Sequence, residues 1–544
     1  MHAEPSSSLT LDAGPPTLSG DIVAGLLVSL IALPLCIAIS LASGFPPFSG
    51  VLTAIIGGMA VSLFKTAPLT IKGPAAGLIV IVLGAVEELG QGDSQAGMRR
   101  ALALVAAAGV VQIVLGLSKA GKFAELVPAS AVRGMLGAIG IIITAKQVHV
   151  LLGVRPEAKT PLRLLAEIPH SIARANPVIA GIGLATLTLM LVWPKIAKGA
   201  LARIPAPVAG LAFALPVSYA AHLDTVHDVH VLGSLTATVG PRFLVTVPNS
   251  LGDLIAFPEW SGVLSAAGFK YLVLFVLVGT IESLLSSKAI DGMDPLLRRT
   301  NLDKDLLAVG VGNTLAGLLG GLPMISEIVR SSANVTAGGR TSRANFSHGV
   351  FLLGCVALIP GIVHRIPLSA LAAMLVLTGL RLASPGEFIT TKQIGPEQAA
   401  IYVITIIVTL LDDLLVGIGA GILLELIAHV ARGVHPKDLG SCTFSLRERE
   451  DQLIVSVTSP ALFSNTLDLR QTLVDARDDL AVVVDLRIAR AVDHTVMTLL
   501  ENIKLARKKR GSEPLVIVGL DGYRGNSLHP LAARYTKLTS TTTS

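Results

Sequence analysis

Between Ile22 and about Val430 the chain is built from recurring apolar runs, many of them about 18 to 20 residues long, separated by polar connections. As an α-helix, a run of that length crosses roughly 30 Å of hydrocarbon. This pattern constrains the fold more than any other feature. Lipid offers no water to backbone N–H and C=O groups, so the spans must satisfy those groups internally as helices. Of the 544 residues, 52% are hydrophobic and 15% charged, and the mean hydropathy is +0.70. A soluble domain carries about 25% charged residues. The fold class read from this is an α-helical polytopic membrane protein.

The apolar segments fall near 22–42, 50–64, 74–86, 101–117, 123–150, 177–193, 203–220, 268–289, 305–319, 325–337, 346–363, 367–383, 398–411 and 414–430, about 14 in all. Two are short and follow helix-breaking residues: 74–86, entered through LTIKGPAAG, and 325–337, entered through GGLPMISE. Each is third in its half of the series. Interrupted segments at matching positions of two halves point to repeats with a central binding site. An odd number of spans in each half makes the repeats inverted, giving two repeats of seven.

Charge placement predicts an orientation with both termini in the cytoplasm. Lys119, Lys122, Lys195, Lys198, Arg203, Lys288, Arg298, Arg299, Lys304, Arg340, Arg343, Arg432 and Lys437 all fall in connections assigned to that side, as the positive-inside rule expects. The opposite connections include the acidic EELGQGDSQ and LDD. Residues 155–176 bring basic residues to the outer side and read as an amphipathic interfacial helix. The formal charge of +6 is then a property of cytoplasmic loops, not of a nucleic-acid partner. Residues 1–20 are polar, lack a basic n-region and a small-residue cleavage site, and read as a cytoplasmic tail.

Beyond Lys437 the pattern changes. QLIVSVTS alternates like a strand, AVVVDL and PLVIVGL read as further strands, and DLRQTLVDARDD and TVMTLLENIKLARKKRG as helices. The expected organisation is a tail over 1–20, a transmembrane transport domain over 21–435, a cytoplasmic α/β domain over 436–535 and a disordered tail over 536–544.

A helix that starts within the membrane presents free N–H groups and the positive end of its dipole, which attract anions. Two such starts facing each other make an anion site. Gly73 allows close backbone approach, and Pro74 suits the first helical position, which has no amide bond to lose. Arg330, at bilayer depth, requires a partner or an aqueous cavity. Glu327 stands three positions before it, within reach if both lie on one helical face. At about 4 Å and an effective dielectric near 20 the attraction is about 4 kcal/mol, enough to compete with an incoming monoanion. Glu327 is therefore expected to hold Arg330 until protonation or displacement frees the guanidinium. Ser326, Ser331 and Ser332 add hydroxyls. Glu282, with Ser286 four positions on, offers oxygen ligands for Na⁺ or a carrier for H⁺.

Several residue types are read as structural. Cys36, Cys355 and Cys442 are isolated and form neither a disulfide framework nor a metal site. His149, His170, His222, His227 and His230 lie in or beside polar connections and read as solvated loop histidines. The glycines of GVGNTLAGLLGG read as a close-packing face, not a nucleotide loop. With no phosphate loop or nucleotide-binding cassette, direct ATP drive is not expected, and with no nucleophile–base pair or metal-ligand set the chain does not read as an enzyme.

Taken together, DIVAGLLVSLIALPLCIAISLASGFPPFSG, TIKGPAAG, VGTIESLLSSKAI and ISEIVRSSANVTAGGRT resemble signatures of the sulfate permease (SulP) family of anion transporters, and the C-terminal domain resembles a STAS domain. The resemblance implies seven plus seven inverted spans divided into core and gate domains that move as an elevator, in a dimer. By position it places the anion at Pro74, Ala75, Val329, Arg330 and Ser331 and matches Glu282 to the family's acidic residue; the reading of the residues themselves adds Gly73, Ala76 and Ser326 to the anion site and Ser286 and Glu327 to the coupling groups. Glu282 and Ser286 resemble the acid and hydroxyl that bicarbonate-transporting members use for sodium. Leu35 and Val329 stand where many members are polar, and Glu327 is an added acid, so the anion is left open between bicarbonate and sulfate. In the terminal domain His494 and Thr495 replace the serines of the usual turn, and Thr495 is a candidate for phosphorylation. The expected function is secondary transport of a small inorganic anion coupled to H⁺ or Na⁺, without a cofactor. The alternatives are a C4-dicarboxylate substrate, or a channel-like or non-transporting anion sensor.

Overall fold

The computed structural model describes residues 16–536, apart from 120–126, 159, 200, 202–203, 232–234, 246–254, 292, 297, 359, 413 and 450. Most of the expected N-terminal tail and all but the first residue of the expected C-terminal tail lie outside the described residues, as do Lys122 and Arg203. The chain forms two compact units: Met1–Gly121 with Val192–His227 and Val239–Leu371, and Lys122–Leu191 with Asp228–Thr238 and Ala372–Ser544.

The first unit opens with α1 (Leu18–Ala42), whose N-cap Thr17 accepts the Gly20 N–H, and α2 (Ser49–Met59). A strand, β1 (Ile71–Pro74), precedes α3 (Ile79–Gly90), and α4 (Ser94–Leu117) follows. Later in the chain this unit adds α8 (Ala206–Ala220), α9 (Ala266–Asp291) and α10 (Leu302–Leu319). It ends with β4 (Met324–Glu327), α11 (Ile328–Thr336), α12 (Ser342–Leu358), α13 (Pro360–His364) and the first turn of α14 (Leu368–Leu382).

α4 and α10 meet along the glycines expected to form a packing face. A Cβ on Gly310 would lie 2.7 Å from Ile113 N and 2.8 Å from Gly109 O, so the two backbones approach too closely for a side chain. Asn313 of α10 uses its side chain to hold β4: Oδ1 accepts the Met324 N–H at 2.6 Å, and Nδ2 donates to Met324 O at 3.2 Å and to Gln112 Oε1 at 2.8 Å.

In the second unit lie α5 (Ala129–Leu151), α6 (Pro161–Ala173) and most of α7 (Pro177–Ile196), followed by the short pair β2 (His227–Val231) and β3 (Leu235–Val239). Most of α14 comes next, then α15 (Pro385–Ile394), α16 (Pro396–Leu411) and α17 (Leu414–Ala431). The expected interfacial segment is the helix α6. His149 is not a loop histidine. It lies on α5 with 0% exposure, its Nδ1 2.7 Å from Ser171 Oγ and its Nε2 3.1 Å from Leu164 O. The apolar run extends one turn further than its polar end suggests, and α6 folds back to satisfy the ring.

The terminal domain has a four-stranded sheet in the order β5 (Phe444–Arg449), β6 (Gln452–Val457), β7 (Ala481–Asp485), β9 (Leu515–Val518). The β5–β6 pair is antiparallel and the rest parallel. A second sheet joins β10 (Tyr523–Gly525), β11 (Arg534–Thr536) and β8 (Ala491–Val492). With helices α18 (Leu467–Asp475) and α19 (His494–Arg510) the strands enclose a core of Val455, Val457, Val482, Val484, Leu486 and Leu500. Strand β5 is absent from the sequence reading because FSLRER holds only two apolar residues and ends in three charged ones, and it is largely exposed.

Candidate functional site

The two interrupted segments do not begin as helices. Each enters as a strand, and the strands pair with each other. β1 and β4 run antiparallel with Ile71 opposite Glu327, Lys72 opposite Ser326, Gly73 opposite Ile325 and Pro74 opposite Met324. Pro74 therefore closes a strand instead of occupying the first helical position, and α3 starts five residues later at Ile79. The reason is the backbone: an extended entry to a half-helix needs partners for its N–H and C=O groups, and the matching segment supplies them. Ala75 N–H donates to Pro323 O at 3.2 Å, continuing the pairing.

This junction gathers most of the expected site residues. Arg330 is 1% exposed, with Nε and Nη1 lacking hydrogen-bond partners. Its guanidinium lies so close to Gly73 that a Cβ there would overlap it. Here glycine is required for proximity, not for a special φ. Gly77 plays the same part for Glu282 of α9, whose carboxylate occupies the space a Cβ would need. The turn that leads into α3 thus has a carboxylate packed against it. Oε2 of Glu282 and Oε1 of Glu327 are buried without a hydrogen-bond partner. Cys36 and His348, both fully buried, lie near Arg330.

Glu327 and Arg330 form no ion pair among the described residues, because Glu327 is the N-cap of α11 in extended conformation (φ −96°, ψ 114°), outside the helix whose spacing would have placed the two on one face. Ser331 Oγ, 0% exposed, accepts the Ile71 N–H at 2.8 Å and so ties α11 to β1. Ser326, also 0% exposed, belongs to a separate buried network. Val329 stands beside Arg330 with 52% exposure. Ser286 is buried one turn beyond Glu282, and no hydrogen bond joins the two among the described residues.

The buried network escaped the sequence reading. Lys72 Nζ donates to Asp305 Oδ1 at 2.7 Å and Oδ2 at 2.9 Å, and to Ser326 Oγ at 2.5 Å. Ser287 Oγ lies 2.8 Å from both Asp305 Oδ2 and Ser326 Oγ, and Ser283 Oγ accepts the Ser326 N–H at 3.1 Å. Thr66 donates to Asp305 Oδ1 at 2.8 Å. The network fastens β1, β4, α9 and α10 to one another. Lys72, in TIKGPAAG, and Asp305, at the edge of an apolar run, were visible as charges, but nothing local pairs them.

The profile of the sulfate permease family matches residues 18–405. YvdB of Bacillus subtilis, which carries a sulfate-transporter name, is 26% identical over 520 residues, 94% of this chain and 93% of that one. The bicarbonate transporter BicA of Picosynechococcus is 26% identical over 419 residues, 76% of this chain and 70% of its own. The solved structure of SLC26A9 matches with a TM-score of 0.65 at 13% identity, over 92% of this chain and 84% of that chain, and so shares the fold. The chain is a multi-pass membrane protein of about 14 spans in two inverted repeats with a C-terminal STAS-like domain, not an enzyme, and it belongs to the sulfate permease family of anion transporters.

Proposed function

We propose that this protein is a secondary active transporter of a small inorganic anion, bicarbonate in preference to sulfate, coupled to Na⁺ or H⁺. The observation that carries the reading is the β1–β4 junction, which sets a buried guanidinium with unpartnered donors beside the backbone of Gly73. Gly73, Pro74, Ala75, Ala76, Val329 and Arg330 line the anion position. The carboxylates of Glu282, packed against Gly77, and of Glu327, opposite Ile71 in the β1–β4 pair, favour a planar monoanion over a dianion, since like charges at close range repel. Binding a cation or proton at Glu282, or a proton at Glu327, lowers that repulsion and links anion entry to the coupling ion. Movement of the first unit as an elevator, a homodimer, residence in the cell (plasma or inner) membrane and cytoplasmic termini complete the proposal.

The test is uptake of labelled bicarbonate and of sulfate into proteoliposomes, with and without a Na⁺ or pH gradient. Concentrative bicarbonate uptake is expected, with Arg330→Ala raising KM at least about tenfold, as loss of a charge-assisted contact does, and Glu282→Gln abolishing the dependence on the cation. Accumulation that stops at equilibrium would instead identify a channel-like protein or a sensor, and unchanged cation dependence in Glu282→Gln would reject that residue's role.

A further inference from the structure

A second buried cluster lies away from the anion junction, within the second unit. Glu425 and His429 sit four positions apart on α17, on one helical face, and each is 1% exposed. Asp493, the fully buried N-cap of α19, faces them from the terminal domain. His429 Nε2 lies 3.7 Å from an Asp493 carboxylate oxygen and 4.0 Å from Glu425 Oε1, and one donor atom from each residue lies within 4.8 Å of the others. Both carboxylate oxygens of Glu425 and Nε2 of His429 are buried without a hydrogen-bond partner.

The nearby cation is already engaged. Arg432 Nε pairs with Glu397 Oε1 at 2.8 Å, and its guanidinium stacks over the Tyr535 ring at 4.5 Å. Two buried carboxylates are left facing an imidazole, an arrangement that is strongly unfavourable unless a cation or protons join it. The remaining contacts orient the groups: Val496 N–H donates to Asp493 Oδ1 at 2.7 Å, Phe463 N–H holds Oδ2, and His429 Nδ1 lies 3.2 Å from the Tyr535 hydroxyl. A partner on Nδ1 fixes the ring and leaves Nε2 free to ligate.

We propose that Glu425, His429 and Asp493 form a binding site for a divalent transition-metal ion, best fitted by Zn²⁺, that joins the last membrane helix to the terminal domain. One imidazole and two carboxylates match zinc, whose bonds to such ligands are about 2.0–2.2 Å and whose fourth position can be water. Closing the donor atoms onto the ion needs small rotations of Glu425, the unrestrained member of the three. Calcium fits poorly, since it takes six to eight oxygen ligands.

The experiment uses the full-length protein in detergent, stripped with a chelator, dialysed against micromolar free Zn²⁺ and assayed for metal by mass spectrometry. About one Zn²⁺ per chain is expected, and Glu425→Gln and His429→Gln should each weaken binding at least tenfold. A metal-free wild type, meaning that Glu425 holds a proton instead, would overturn the proposal, as would binding unchanged in both variants. Should a variant fail to fold, Co²⁺ loading of the wild type decides the matter: a visible absorption band displaced by Zn²⁺ supports the site, and no band overturns it.

Discussion

Lys72 and Asp305 are 2% and 0% exposed and face one another at 2.7 Å. Removing one partner of such a pair strands the other charge, which typically costs about 3–5 kcal/mol, whereas replacing both with apolar groups of similar volume is often neutral. Asp305→Asn is therefore expected to lower the unfolding temperature of the purified protein sharply, and the double change Lys72→Met with Asp305→Leu to recover much of the loss. A single-variant penalty below about 1 kcal/mol, the surface-pair range, would show that the pair is not a structural fastening. Residues of this kind were only half legible. Arg330, Glu327 and Glu282 announce themselves as ionisable groups inside apolar sequence, so the sequence located them. The Lys72–Asp305 pair did not follow, because its members are separated by 233 positions. Ser283 and Ser287, not Ser286, serve the network because β4 packs on that face of α9.

At the scale of elements, the helix-breaking entries marked where the two central segments begin but not the conformation they adopt there. Four residues of strand in each half turn a pair of isolated helix starts into a hydrogen-bonded junction, and this moves Pro74 and Glu327 out of their helical positions. Packing between regular helices was easier to read, since small residues at close spacing have one common use in lipid. Gly310→Leu is expected to force α4 from α10 and destabilise the protein by about 1–3 kcal/mol, as overpacking does. Gly354→Leu on α12, where a Cβ meets nothing within 4 Å, provides the control and should unfold as the wild type does. Equal thermal unfolding of both variants would mean that the α4–α10 contact is not tight.

For the whole molecule, the link between the last spans and the terminal domain is polar and specific. Asn526 bridges Glu397 and Arg432, Ser527 Oγ donates to Ile394 O at 2.7 Å, and Thr495 Oγ1 accepts the Ala129 N–H at 3.4 Å. The Thr495 hydroxyl is thus engaged with the start of α5, which weakens its candidacy for phosphorylation in this state. Replacing Asn526 and Ser527 together by alanine is expected to speed proteolytic cleavage of the 436–443 connection several-fold in the intact protein. Unaltered cleavage would show that other contacts hold the domain in place.

The sequence by itself determined the membrane class, the series of about 14 spans, the two interrupted segments and the α/β character of the terminal domain. Each of these follows from periodicity, length and breaker residues, which act over a few neighbouring positions. Only the tertiary structure decided that the interrupted segments pair as strands, that Lys72 rests on Asp305, and that Glu425, His429 and Asp493 converge. Those features depend on which distant backbone and side-chain groups must satisfy one another once water is excluded, and no local pattern encodes that choice.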